Sequence, residues 1–124
     1  MAESILRIKS KKFAIDTIHA CREMRKNKVE YALIDQLLRS GTSVGANIHE
    51  AQFAQGTKDF ISKLEIALKE CNECDYWLDI LLSTQSIDTL KSSMLSAECD
   101  EIRKILISSV NTLKSKQKPD AGSN

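Results

Sequence analysis

The chain has 124 residues, 42% hydrophobic and 28% charged, and a net charge of +1. That length fits one domain with a core large enough to need no staples, and the composition excludes a disordered or low-complexity chain. The longest unbroken apolar run is Tyr31-Ala32-Leu33-Ile34, far short of the ~20 residues of a membrane helix.

The balanced total hides an asymmetry. Residues 1–28 carry Arg7, Lys9, Lys11, Lys12, Arg22, Arg25, Lys26 and Lys28 against three acids, a net of +5. Residues 57–85 carry a net of −3. Two readings stay open: complementary packing within or between subunits, or a basic face for a polyanion. Met1-Ala2-Glu3-Ser4 lacks the basic start and apolar core of a secretory signal. A cytoplasmic protein is therefore expected, with Cys21, Cys71, Cys74 and Cys99 as reduced thiols.

Four helices are predicted. The first spans about Glu3–Lys26, with Leu6, Phe13, Thr17, Ala20, Cys21 and Met24 inward and Ile8, Ile15 and Ile18 widening the stripe. Lys26-Asn27-Lys28 ends it, with Asn27 suited to a left-handed cap. The second spans about Val29–Gln55. Ile34, Leu37, Gly41, Val44, Ile48 and Ala51 recur at steps of 3 and 4, a heptad seam. Gly41 and Gly45 share one side of it and predict close approach of a neighbouring helix. Gly56 suits the cap after this helix and Thr57 the N-cap of the next.

The third helix runs to about Ser83. Its seam is Phe60, Leu64, Ala67, Cys71, Cys74, Leu78 and Leu81, broadened by Ile61, Leu68 and Leu82. The fourth runs from about Ile87 to Lys114 along Leu95, Cys99, Ile102, Leu106, Ser109 and Leu113. Ile87, Leu90 and Met94 are out of phase with that row and predict a local stutter. Residues 116–124 read as a flexible tail beyond a bundle over 1–115. Short connections make neighbours antiparallel, so the fold class is all-α: an up-down-up-down four-helix bundle. Stripes this long in so small a chain also predict burial against further copies.

No constellation calls for catalysis, and no cofactor or metal is assigned. Cys71-x-x-Cys74 lies within a helix and has no second pair, so core packing is the better reading than a thiolate site. Glu70, Glu73, Glu98 and Glu101 read as ion-pair partners; a metal-dependent nucleotide hydrolase is the weaker alternative. His19 and His49 are isolated. Arg39, Ser43, Asn47 and Glu50 form a polar stripe beside the second seam. It reaches water, pairs with Glu70 and Glu73 across a subunit contact, or meets a ligand. Trp77 is a core or interface residue.

The block RSGTSVGANIHEA over Arg39–Ala51, followed by KDFISKLEIALKECNECDYWLDILL over Lys58–Leu82, resembles the 23S rRNA intervening-sequence proteins. A related family is the accessory variability determinant of diversity-generating retroelements. The resemblance implies a non-enzymatic bundle assembled as a ring-like homopentamer. It further implies a basic surface for RNA or DNA, or for a reverse transcriptase. Arg39, Asn47, Glu50, Glu70, Glu73 and Trp77 match the family's recurrent polar positions and are assigned to a subunit interface or polar network. Gly41 departs from the family pattern, in which alanine or a similar small residue is usual.

Overall fold

The computed structural model describes residues 2–117. Four helices make up the architecture: α1 (Ala2–Lys26), α2 (Tyr31–Ala51), α3 (Thr57–Ser83) and α4 (Thr89–Gln117). Each packs on two neighbours, α1 on α2 and α4, and α3 on α2 and α4. The diagonal pairs do not pack backbone to backbone among the described residues and meet only through the shared core. Partners across each seam run in opposite order: Lys9 faces Glu101 and Glu23 faces Lys91; Glu50 faces Lys63 and Arg39 faces Glu70. The molecule is thus an antiparallel, square four-helix bundle. None of the described helices is long and apolar enough to cross a membrane.

The core follows the 3–4 spacing closely on α2, where Ile34, Leu37, Gly41, Val44, Ile48 and Ala51 are all buried. On α1 the inner row is Leu6, Ser10, Phe13, Thr17, Ala20 and Met24, with Cys21 beside it. Ser10 replaces the expected contribution of Ile8 and Ile15, which lie on the outer face; Ile8 is 70% exposed. The reason is the close approach of α1 and α2. A Cβ built on Gly45 would lie 3.4 Å from the carbonyl oxygen and Oγ of Ser10, and one on Gly41 only 2.9 Å from Thr17 Cγ2. Small residues are the ones that fit this seam, as the glycine pair predicts. Gly41 faces the branched Thr17.

Several boundaries differ from the sequence expectation. Lys28, not Asn27, holds the left-handed conformation, with φ 61°. Val29 N–H then donates to Met24 O at 3.0 Å and Lys28 N–H to Arg25 O at 3.0 Å, a Schellman closure. Val29 is therefore used in capping α1, and α2 starts at Tyr31 instead of Val29. It ends at Ala51, before Gln55, because the following amides turn back on closer carbonyls, Phe53 N–H to Glu50 O and Ala54 N–H to Ala51 O. Gly56 caps the start of α3, so neither it nor Thr57 plays the role read from sequence. The Gln55 amide donates to Asp59 Oδ2 at 3.2 Å at this junction.

On α3, Ile61 takes the inner position while Phe60 is half-buried and Leu82 exposed. Asp88 caps α4, its Oδ2 accepting from Lys91 N–H at 3.0 Å, so the helix starts at Thr89 and not Ile87. That later start explains the apparent stutter. Ile87 is buried ahead of the helix, Ser92 fills the inner position, and Leu90 faces solvent. Further along, Val110 is buried where Ser109 was expected. Lys116 and Gln117 continue α4 past Lys114, and the rest of the expected tail, 118–124, lies outside the described residues.

Candidate nucleic-acid interface

The heptad geometry of α1 divides its cations between two seams. On the α4 side, Lys9 pairs with Glu101 at 3.0 Å. Lys12 pairs with Asp16 at 2.7 Å and Glu98 at 2.8 Å. On the α2 side, Arg25 approaches Asp35 at 3.7 Å and lies over the Tyr31 ring at 5.7 Å. The basic helix is therefore partly neutralised by α4 and α2 of its own chain. Complementary packing holds for these three cations, but helix 3 is not the source of the acids. Among the described residues, no acid pairs with Arg7, Lys11, Arg22, Lys26 or Lys28.

The acids of α3 are occupied elsewhere. Arg39 on α2 pairs with Glu70 at 3.4 Å and with Glu73, and these contacts lie within one chain. The subunit contact is not needed to satisfy them. Glu50 pairs with Lys63 at 3.1 Å, and Asn47 Nδ2 donates to Ser43 O at 2.8 Å. Arg103 on α4 reaches Asp75 on α3 and Asp100 on α4. Trp77 is half-buried against the core, edge-on to Tyr76 at 5.0 Å between ring centroids. The six residues assigned to a subunit interface or polar network thus form in-chain contacts along α2 and α3.

At the α1–α4 seam the Lys12 cluster is polarised. Burial, then hydrogen bonding with Asp16, push Glu98 above the ordinary glutamate value. Asp16 is held below its usual value by hydrogen bonding with Glu98 and then by Lys12. Glu98 Oε1 is buried with no hydrogen-bond partner.

All four cysteines are free and buried. Their thiols donate inward: Cys21 to Ile34 O at 3.9 Å, Cys74 to Ser40 Oγ at 3.4 Å, Cys99 to Cys71 O at 3.4 Å. Burial pushes Cys21 up to about 11. Hydrogen bonding with neighbouring thiols raises Cys74 and Cys99 further. Among the described residues no cluster of three metal-ligating side chains forms.

Two of the unpaired cations, Arg7 and Lys11, line a groove. Between α1 and α2 lies an open cavity of about 570 Å³. Arg7 and Lys11 stand on one wall and His49 on the other, over a floor that includes Ala14, Gly45 and Ala46. Among the described residues no acidic one lines it. His49 was set aside in the sequence as isolated. Its signal was positional: it lies seven residues after Thr42 and four after Gly45, on the α2 face turned towards α1.

The sequence profile of the 23S rRNA-intervening sequence protein family matches residues 3–108. No curated protein matches the chain. A crystal structure of a protein of unknown function from the S23 ribosomal protein family of Bacteroides thetaiotaomicron VPI-5482 superposes with a TM-score of 0.86 at 40% identity. The alignment covers 90% of this chain and 99% of that one. With the matched region running through all four helices of the bundle, this chain belongs to the family of 23S rRNA-intervening sequence proteins.

Proposed function

We propose that this protein is a non-enzymatic, self-assembling bundle that acts in the cytoplasm and binds RNA through its basic first helix. The observation that carries this reading is the charge pairing on α1. Lys9, Lys12 and Arg25 are neutralised, but four further cations of the helix, Arg7, Lys11, Arg22 and Lys26, stand on the surface with no acid paired to them among the described residues. Surplus positive charge on one helix favours a polyanion over a neutral partner. The family's name, which refers to an intervening sequence of 23S rRNA, gives the RNA reading its context.

Assembly as a ring-like homopentamer is the second part of the proposal. It is supported by apolar side chains that the single chain leaves in solvent, Leu90 at 80% and Phe53 at 72% exposed among them. These residues also favour the competing reading, a protein-interaction scaffold that docks a partner such as a reverse transcriptase and does not touch nucleic acid.

Binding of a structured RNA across a salt series separates the two. The proposal expects affinity to fall steeply with salt, with a slope of about 0.7–0.9 per neutralised phosphate on logarithmic axes. No binding at low salt, or binding indifferent to salt, leaves the scaffold. Light scattering of the purified protein gives the particle mass; a monomer at working concentration would remove the ring.

A further inference from the structure

We infer that the α1–α2 groove is the track on which the phosphodiester backbone of RNA lies, with Arg7 and Lys11 as its phosphate contacts and His49 as the facing wall. The inference rests on the RNA-binding reading above and locates it within the basic helix. Arg7 and Lys11 are four residues apart on one side of α1, about 6 Å along its axis. Both are free of acidic partners among the described residues, so no ion pair there has to break when phosphate arrives.

The floor between the walls is made of small side chains, and the helices meet closely beneath it. A Cβ on Gly45 would already sit 3.4 Å from the Ser10 backbone. A backbone can therefore approach without displacing a bulky side chain. Ile8, 70% exposed at the rim, offers an apolar surface beside the charges.

The opposite end of α1 does not offer the same setting. Arg22, Lys26 and Lys28 also carry unpaired charge there, but the cavity at that end is lined by Glu23 and Asp88 along with Lys91. Glu23 there is already paired with Lys91 at 3.2 Å, and none of Arg22, Lys26 and Lys28 lines that cavity. The groove nearer the start of α1 is the one that two unpaired cations line.

The test compares two pairs that each remove two positive charges from α1: Arg7→Ala with Lys11→Ala, and Arg22→Ala with Lys26→Ala. A third variant, Ala46→Glu, places a carboxylate on the groove floor at an exposed helical position. Circular dichroism checks the folding of each. Anisotropy of a labelled RNA hairpin is read at several salt concentrations, with poly-glutamate as competitor. Loss of the groove pair is expected to weaken binding about tenfold or more at low salt and to flatten the salt slope by about 1.4–2. Ala46→Glu should weaken binding in the same direction, and the far-end pair should stay within about threefold of the parent. Equal losses in the two pairs, or unchanged binding by the groove pair, would overturn the assignment while leaving RNA binding intact. Poly-glutamate displacing RNA at equal charge would also overturn it, giving the groove to an acidic protein segment. A parent chain that binds no RNA at all would instead remove the functional proposal on which the groove depends.

Discussion

Replacing Gly41 with alanine tests the close helix approach on which the α1–α2 seam depends. In an isolated helix the change would stabilise by about 1 kcal/mol, because alanine loses less backbone freedom. Here the new methyl would stand 2.9 Å from Thr17 Cγ2 and 3.2 Å from Thr17 Oγ1. Both branches of Thr17 face the glycine, so exchanging them by rotation gives no relief. Thr17 is fully buried and stiff about χ1, leaving little room to yield. Overpacking of a core typically costs about 1–3 kcal/mol. The net expectation is destabilisation of about 1 kcal/mol.

Thr17→Ala removes both γ atoms and leaves only Cβ, 3.4 Å from the new methyl. In that background Gly41→Ala should stabilise by about 1 kcal/mol, the propensity gain alone. The two effects differ by a coupling of about 2 kcal/mol, within the range seen for residues in contact. Urea unfolding of the four chains at one fixed protein concentration measures it, since assembly would make the midpoint depend on concentration. A single Gly41→Ala variant as stable as the parent, or the same change in both backgrounds, would refute the steric account.

Three further outcomes follow from the structure. Lys28 and Gln85 hold left-handed φ angles of 61° and 58° at the ends of α1 and α3. Lys28→Gly and Gln85→Gly should each stabilise by up to about 1 kcal/mol, read as a higher urea midpoint. Glu98, raised in the folded chain, binds a proton there before its unfolded counterpart does, so its contribution to stability grows as pH falls from neutral towards about 4.3. Asp16, depressed, contributes above its ordinary value and is lost as pH falls through its lower folded value. Glu98→Gln should remove the first effect and keep the second, and superimposable pH–stability profiles for parent and variant would contradict this. A thiol reagent at pH 8 should leave all four cysteines unmodified in the native protein and label all four on unfolding, because each is buried and free. Rapid native labelling would mean that the core opens far more readily than its packing implies.

The spacing of apolar residues was enough to read the helix count, the heptad seams of α2 and most of α3, and the bundle itself. Periodicity is local and each seam repeats it many times, so single exceptions do not disturb it. The ends of the helices were less legible. Lys28 adopts a conformation that its side chain does not favour, held by two backbone hydrogen bonds that depend on where the chain must turn. Ser10, absent from the inward row read off the sequence, lies in the core because Gly45 across the seam brings α2 close, a relation between residues distant in the chain.

The same holds for charge. From the sequence, α1 was basic and α3 acidic, which invited pairing between them. In the square bundle α1 and α3 are diagonal and meet only through the apolar core among the described residues. Each finds partners on α2 and α4 instead. The sequence determined which residues carry charge and which faces are apolar, because those follow from composition and a period of 3.6. Only the tertiary structure decided which cations remain unpaired among the described residues, and that three of the groove's residues, Arg7, Lys11 and His49, surround one surface that no described acid lines. Ion pairing depends on distances of a few ångströms between separate helices, and those are set by how the helices pack.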